Sequence, residues 1–250
     1  MRLLFLALFF SFSGLAQQFE KNLFENNSGS LPYQILLPKN YDESKEYPLL
    51  VFLHGAGERG NDNELQLTHG SDLFLQNEIQ EQFPAIVVFP QCPKDSYWAT
   101  IVSRAVPLKF EYSEKPTKNK TLDLVEGMLE ELVSNYEVDK NRIYVGGLSM
   151  GGMGTFELVY RNPNTFAAAF AICGGANPKI SAKIRKPVWR IDHGEIDEVV
   201  PIAHSERMVA GLQKAKAQVS FYRYPGVNHN SWDLVFADPT FIPWLFSQRK

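Results

Sequence analysis

Pro48-Leu49-Leu50-Val51-Phe52-Leu53 is a run without a single polar side chain. A half-buried strand alternates apolar with polar residues, so an unbroken apolar run belongs to a strand covered on both faces. Such strands occur in parallel sheets, whose crossover connections lay helices over both sides. The rest of the chain repeats the theme. Strand-like runs at 33–37, 49–53, 85–89, 142–145, 167–172, 188–191 and 219–224 alternate with helical stretches at 122–136, 150–161, 202–216 and 240–247. In 202–216 the apolar residues are spaced for one buried face, with Lys and Arg outside. The pattern predicts an α/β fold with a mostly parallel central sheet and helices on both faces.

The functional signal sits where these strands end. Arg142-Ile143-Tyr144-Val145-Gly146 runs into Gly147-Leu148-Ser149-Met150-Gly151, followed by a helix-compatible stretch. A serine at the apex of so tight a strand-to-helix turn needs glycine on both sides, and the segment reads as a nucleophile elbow. The apolar run at 48–53 empties into His54-Gly55-Ala56-Gly57-Glu58-Arg59-Gly60, whose glycines let backbone N–H groups approach a ligand as an oxyanion hole requires. Val188–Asp192 leads to His193-Gly194-Glu195-Ile196-Asp197, and Val219–Tyr224 leads to Gly226-Val227-Asn228-His229. The order Ser149, Asp197, His229 is that of the α/β-hydrolase arrangement, not of chymotrypsin or subtilisin. Ligands of open α/β sheets bind at these strand ends.

In this reading Ser149 is the nucleophile, His229 its general base, and Asp197 the group that holds the imidazole. The amides of Met150 and Ala56 would form the oxyanion hole. Asp192 and Glu195 are rival acids. Asp192 lies in the last turn of its strand and Glu195 before the loop has cleared it, which favours Asp197. Trp98 and Trp232 are candidate substrate-binding residues, with core packing as the competing role. His54 is read as a brace for the oxyanion turn, and His69, His193 and His204 as structural groups. No H-E-x-x-H or Cys/His zinc spacing is present, so neither a metal site nor a cofactor is expected.

Length and composition narrow the rest. The 250 residues are long for one α/β domain and short for two, with 44% hydrophobic and 21% charged side chains. A net charge of −3 and no basic face interleaved with aromatics argue against nucleic acid as a partner. Residues 1–16 have a basic start, an apolar stretch and small residues before Gln17, the pattern of a cleaved signal peptide. The expectation is a secreted or periplasmic protein, with residues 17–250 as one catalytic domain and no membrane span after leader removal. Residues 93–121 interrupt the alternation and suit a cap over the active end. Cys92 and Cys173 follow strands that are not neighbours in the usual hydrolase order, so two separate thiols are expected rather than a bridge.

The segments Leu53–Gly60, Pro90-Gln91-Cys92-Pro93, Gly147–Gly152 and His193–Pro201 resemble the exported α/β-hydrolases called predicted peptidases or polyhydroxybutyrate-depolymerase-like esterases. That group is similar to feruloyl and acetyl xylan esterases of the first carbohydrate esterase family. The resemblance covers nearly all of the chain after the leader and implies Ser149, Asp197 and His229 as a triad. It implies a serine esterase whose partner is a small-molecule or polysaccharide-linked ester, acetyl or feruloyl. A peptidase or amidase using the same triad, and a non-catalytic binding protein of this fold, are the alternatives.

Overall fold

A computed structural model describes residues 18–105, 109–116 and 118–250, so the leader segment 1–16 lies outside the described residues. The strands are β1 (Glu20–Asn26), β2 (Gly29–Leu36), β3 (Tyr47–Leu53), β4 (Ile86–Pro90), β5 (Ile101–Ala105), β6 (Lys109–Tyr112), β7 (Val138–Leu148), β8 (Ala168–Ile172), β9 (Val188–Gly194) and β10 (Val219–Tyr224). The helices are α1 (Ser71–Leu75), α2 (Asn77–Gln82), α3 (Lys120–Asn135), α4 (Met150–Arg161), α5 (Ala203–Lys214), α6 (Trp232–Ala237) and α7 (Phe241–Ser247).

Eight strands form one sheet in the order β1-β2-β4-β3-β7-β8-β9-β10. From β4 to β10 every pairing is parallel, whereas β1 pairs β2 and β2 pairs β4 antiparallel. The apolar run at 48–53 lies in β3, every residue of which is buried. Its side chains alternate between two cores, as a pleated strand requires. Leu49, Val51 and Leu53 pack with α3, α4 and α5 residues such as Met128, Phe156 and Met208. Leu50 and Phe52 pack on the other face with Phe74, Val235, Phe241 and Leu245 of α1, α6 and α7. The layered α/β fold read from the sequence is the fold observed.

The strand pairing explains the cysteines. Cys92 follows β4 and Cys173 follows β8, with β3 and β7 between those strands, and both thiols are free and buried. Residues 93–121 contain a two-stranded sheet of their own, β5 with β6. Phe110 of that hairpin packs on Met153 of α4 and on Val200, past the end of β9. Buried Glu157 of α4 accepts hydrogen bonds from the N–H and hydroxyl of Thr100, at 2.6 and 2.8 Å, and so ties this segment to the elbow helix. Asn119 caps α3, its side chain accepting from the amides of Thr121 and Leu122.

β1 and the hairpin β5–β6 were not apparent as strands because neither is buried on both faces. β1 is an edge strand with one buried residue, Phe24, and polar residues throughout. Short helices α1, α2 and α6 likewise fall below the length at which helical periodicity becomes readable.

Candidate active site

Ser149 stands between the end of β7 and the start of α4, with φ 52° and ψ −115°. A side-chain-bearing residue at positive φ is strained, and such strain is characteristic of reactive sites. The flanking glycines are sterically enforced. A Cβ on Gly147 would lie 2.3 Å from the carbonyl oxygen of Leu53, and one on Gly151 would lie 1.8 Å from it. The turn therefore packs directly against the end of β3, where the oxyanion loop begins.

His229, in the loop after β10, bridges the serine and the acid. Its Nε2 lies 2.8 Å from Ser149 Oγ and its Nδ1 lies 2.7 Å from Asp197 Oδ2. The other carboxylate oxygen, Oδ1, accepts from the amides of Val199 and Val200, both at 2.8 Å. Burial alone would raise the Asp197 carboxyl. Hydrogen bonds from His193, His229 and the Val200 amide outweigh it and hold the group well below the usual carboxylate range. The structure thus brings together the three residues picked out by chain order.

The rival acids are occupied elsewhere. Asp192 is fully buried and receives Arg190 Nε at 3.0 Å and the Tyr224 hydroxyl at 2.8 Å. Arg190, itself buried, also reaches Asp238 at 2.8 Å and lies over the ring of Tyr222. Glu195 pairs with Arg223 at 3.0 Å on the surface.

Ala56 opens a short 3₁₀ turn and Met150 is the first residue of α4. A first-turn amide has no acceptor within its own helix, so both N–H groups are available to a ligand. Several side chains hold the Ala56 loop. Arg59 Nε donates to the Ala56 carbonyl at 2.9 Å, and buried Gln91 donates to the Glu58 carbonyl while accepting from the Asn63 amide. His54 is buried; its Nδ1–H donates to the Gly55 carbonyl at 2.6 Å and its Nε2 accepts the Cys92 amide at 2.9 Å. Burial pushes His54 down to about 4, so the ring is neutral. The bracing roles of Gln91 and Arg59 are visible only in the tertiary contacts, although both lie in the segments that carry the family resemblance.

The two tryptophans separate. Trp98, expected to contact substrate, is fully buried: its Nε1–H donates to the His54 carbonyl at 3.1 Å and its ring meets His54 edge-on. It supports the loop that begins at His54 from behind and has no face to offer a ligand. Trp232, at the start of α6, meets the His229 ring edge-on at 5.4 Å and lies 5.1 Å from His69. His69 in turn approaches Glu58 Oε1 at 3.7 Å.

One cluster of potential metal donors exists among the described residues: Cys173, Asp197 and His229. Two of them are already hydrogen-bonded to each other, and burial, then the charge of Asp197, pushes the Cys173 thiol well above its ordinary value. That donor set is a protonated thiol beside an engaged carboxylate–imidazole pair, which fits a hydrogen-bonded relay better than a cation. No helix of the described residues is long and apolar enough to cross a membrane.

A central parallel sheet carrying a serine elbow, with an acid and a histidine on the next strand ends, is the architecture of the α/β-hydrolases. Within that class, the profile of the phospholipase/carboxylesterase family matches residues 40–240, and the chain belongs to that family of ester hydrolases. Lysophospholipase-like protein 1 of Mus musculus is 25% identical over 191 residues, 72% of this chain and 79% of that protein. Acyl-protein thioesterase 1 of Debaryomyces hansenii is 22% identical over 210 residues, 76% of this chain and 87% of that protein. Among solved structures, a thermostable esterase is 35% identical with a TM-score of 0.84 over 93% of this chain, which spans 63% of that protein's length. A ferulic acid esterase from Anaeromyces mucronatus shares the fold at a TM-score of 0.67 and 18% identity, covering 92% of this chain and 91% of its own.

Proposed function

We propose that the protein is a serine esterase that works through an acyl-enzyme on Ser149. The observation that carries this reading is His229, placed within hydrogen-bond reach of both Ser149 Oγ and Asp197 Oδ2, at 2.8 and 2.7 Å. Ser149 Oγ attacks the ester carbonyl as its proton passes to His229 Nε2. The carbonyl oxygen, now an oxyanion, is held by the amides of Ala56 and Met150. Collapse breaks the carbon–oxygen bond to the alcohol, which leaves with the proton from His229. A water then repeats the sequence on the acyl-enzyme, with His229 as base again, and releases the acid. Asp197 stays ionised throughout and stabilises the imidazolium.

For the substrate we favour an acyl group on a carbohydrate, acetyl or feruloyl, handled outside the cytoplasm once the leader is removed. The motif resemblance supports this. So does a bifunctional acetylxylan esterase/xylanase of Neocallimastix patriciarum, 34% identical over 82 residues, 32% of this chain and 12% of that protein. Trp232, partly exposed beside His229, is the aromatic surface for the substrate, and exposed Ile196 and Val199 add apolar rim on the acid loop.

Turnover of p-nitrophenyl acetate, methyl ferulate and a peptide p-nitroanilide, measured side by side, tests the reading. Ester turnover that disappears in Ser149→Ala is expected. Hydrolysis of the anilide in preference to both esters would replace the esterase by an amidase.

A further inference from the structure

His193 is the next-to-last residue of β9, four positions before the acid, and its side chain is completely buried. Its Nε2 lies 2.8 Å from the Val200 carbonyl oxygen and 3.2 Å from Asp197 Oδ2. Both of those oxygens can only accept. Its Nδ1 lies 2.7 Å from Ser205 Oγ on α5, and that hydroxyl is 3.0 Å from the buried carbonyl of Gly174. A serine hydroxyl has one hydrogen. If that hydrogen satisfies Gly174, Nδ1 must donate to Ser205. If it turned to Nδ1 instead, a buried carbonyl would lose this partner, which is costly. Every neighbour of the ring is thus satisfied only when both nitrogens carry a proton.

We propose that His193 is a buried imidazolium whose Nε2–H donates to the Val200 carbonyl with Asp197 Oδ2 at ion-pair distance, whose Nδ1–H donates to Ser205, and which is a positioning residue for the acid of the site. This rests on the reading of Asp197 as the residue that orients His229. The carboxylate then has donors on all sides: two ring nitrogens on Oδ2, the Val199 and Val200 amides on Oδ1. Its charge is matched before any substrate arrives, because an unpaired charge at this depth would be costly. When His229 accepts the serine proton, the new positive charge faces the new oxyanion, and Asp197 keeps its proton-free state. The titratable groups around His193 are Asp197, His229 beyond it, and His204 on α5. Burial, followed by Arg207, pushes His204 down to about 4, so it does not compete for the charge.

His54 is the internal reference, since it is equally enclosed but has one acceptor and one donor against its ring. Nitrogen NMR of the intact protein with labelled histidine, near neutral pH, reads the two directly. The expected spectrum has two slowly exchanging ring protons and imidazolium nitrogen frequencies for His193, against one ring proton for His54. A His193 ring with a single proton and an unprotonated Nδ1 would overturn the proposal. In kinetics, His193→Gln keeps a neutral donor and removes the charge. Its kcat should fall about 10-fold with KM unchanged, the scale of the difference between a charge-assisted and a neutral hydrogen bond. Wild-type kcat in a folded His193→Gln protein would overturn the positioning role. Retention of ester turnover by Ser149→Ala would instead bring down the reading of the site, and it leaves the nitrogen spectrum untouched.

Discussion

Asp192 and Asp197 lie five positions apart, one inside β9 and one just beyond it, and both carboxylates are buried. Asp192 accepts from the Tyr224 hydroxyl and faces a guanidinium, Arg190, which lies over Tyr222 and is bonded also to Asp238. Asp197 faces two imidazoles and two backbone amides. Burial dominates at Asp192 and pushes its carboxyl up despite Arg190. At Asp197 the hydrogen bonds win over burial and hold it down. An arginine never gives up its proton at accessible pH, so the first network can only hold the sheet together. An imidazole nitrogen can accept a proton and give it back, so the second can pass one on. Nearly equal burial thus yields a structural group and a chemical one, and the partner makes the difference.

Mutation should break the pair apart in order of size. Ser149→Ala removes the nucleophile and should lower kcat by about 10⁶, with loss of all labelling by a fluorophosphonate probe. Labelling of the intact variant would place the nucleophile elsewhere. Asp197→Asn keeps the shape of the side chain but not its charge, and kcat should fall about 10⁴-fold with the folded state retained by circular dichroism.

Asp192→Asn should do the reverse. Removing one partner of a buried ion pair costs about 3–5 kcal/mol of stability, read by denaturant unfolding, while the kcat of the folded fraction stays within a few-fold of wild type. If Asp192→Asn is instead the variant that loses turnover, the roles of the two carboxylates are exchanged.

A smaller effect concerns acid stability. Because the Asp197 carboxyl is held below its unfolded value of about 3.9, its contribution is complete above that pH and is lost as pH falls further. The stability gap between wild type and Asp197→Asn should therefore narrow below about pH 4. The smallest expected change is none at all. Chelators should leave ester turnover unaltered, because the donors that hold the oxyanion are backbone amides; chelator sensitivity would mean that a metal participates.

Much of the molecule was written locally. The parallel sheet followed from apolar runs such as that of β3, because burial on both faces leaves no room for a polar alternation. The serine elbow was legible because two glycines are needed where a Cβ would strike the Leu53 carbonyl. The preference for Asp197 over Asp192 rests on position along the strand. What the chain could not declare is whatever depends on a partner far away in sequence. Trp98 reads equally as a binding or a core aromatic, and its burial behind His54, 44 positions away, decides for the core. His193 passed for a structural histidine, since its meaning lies in Ser205, Val200 and Gly174, none of which forms a motif with it. Sequence patterns report which faces are buried, because periodicity is a local property. Protonation and hydrogen-bond roles are set by the three-dimensional count of donors and acceptors, which only the folded chain assembles.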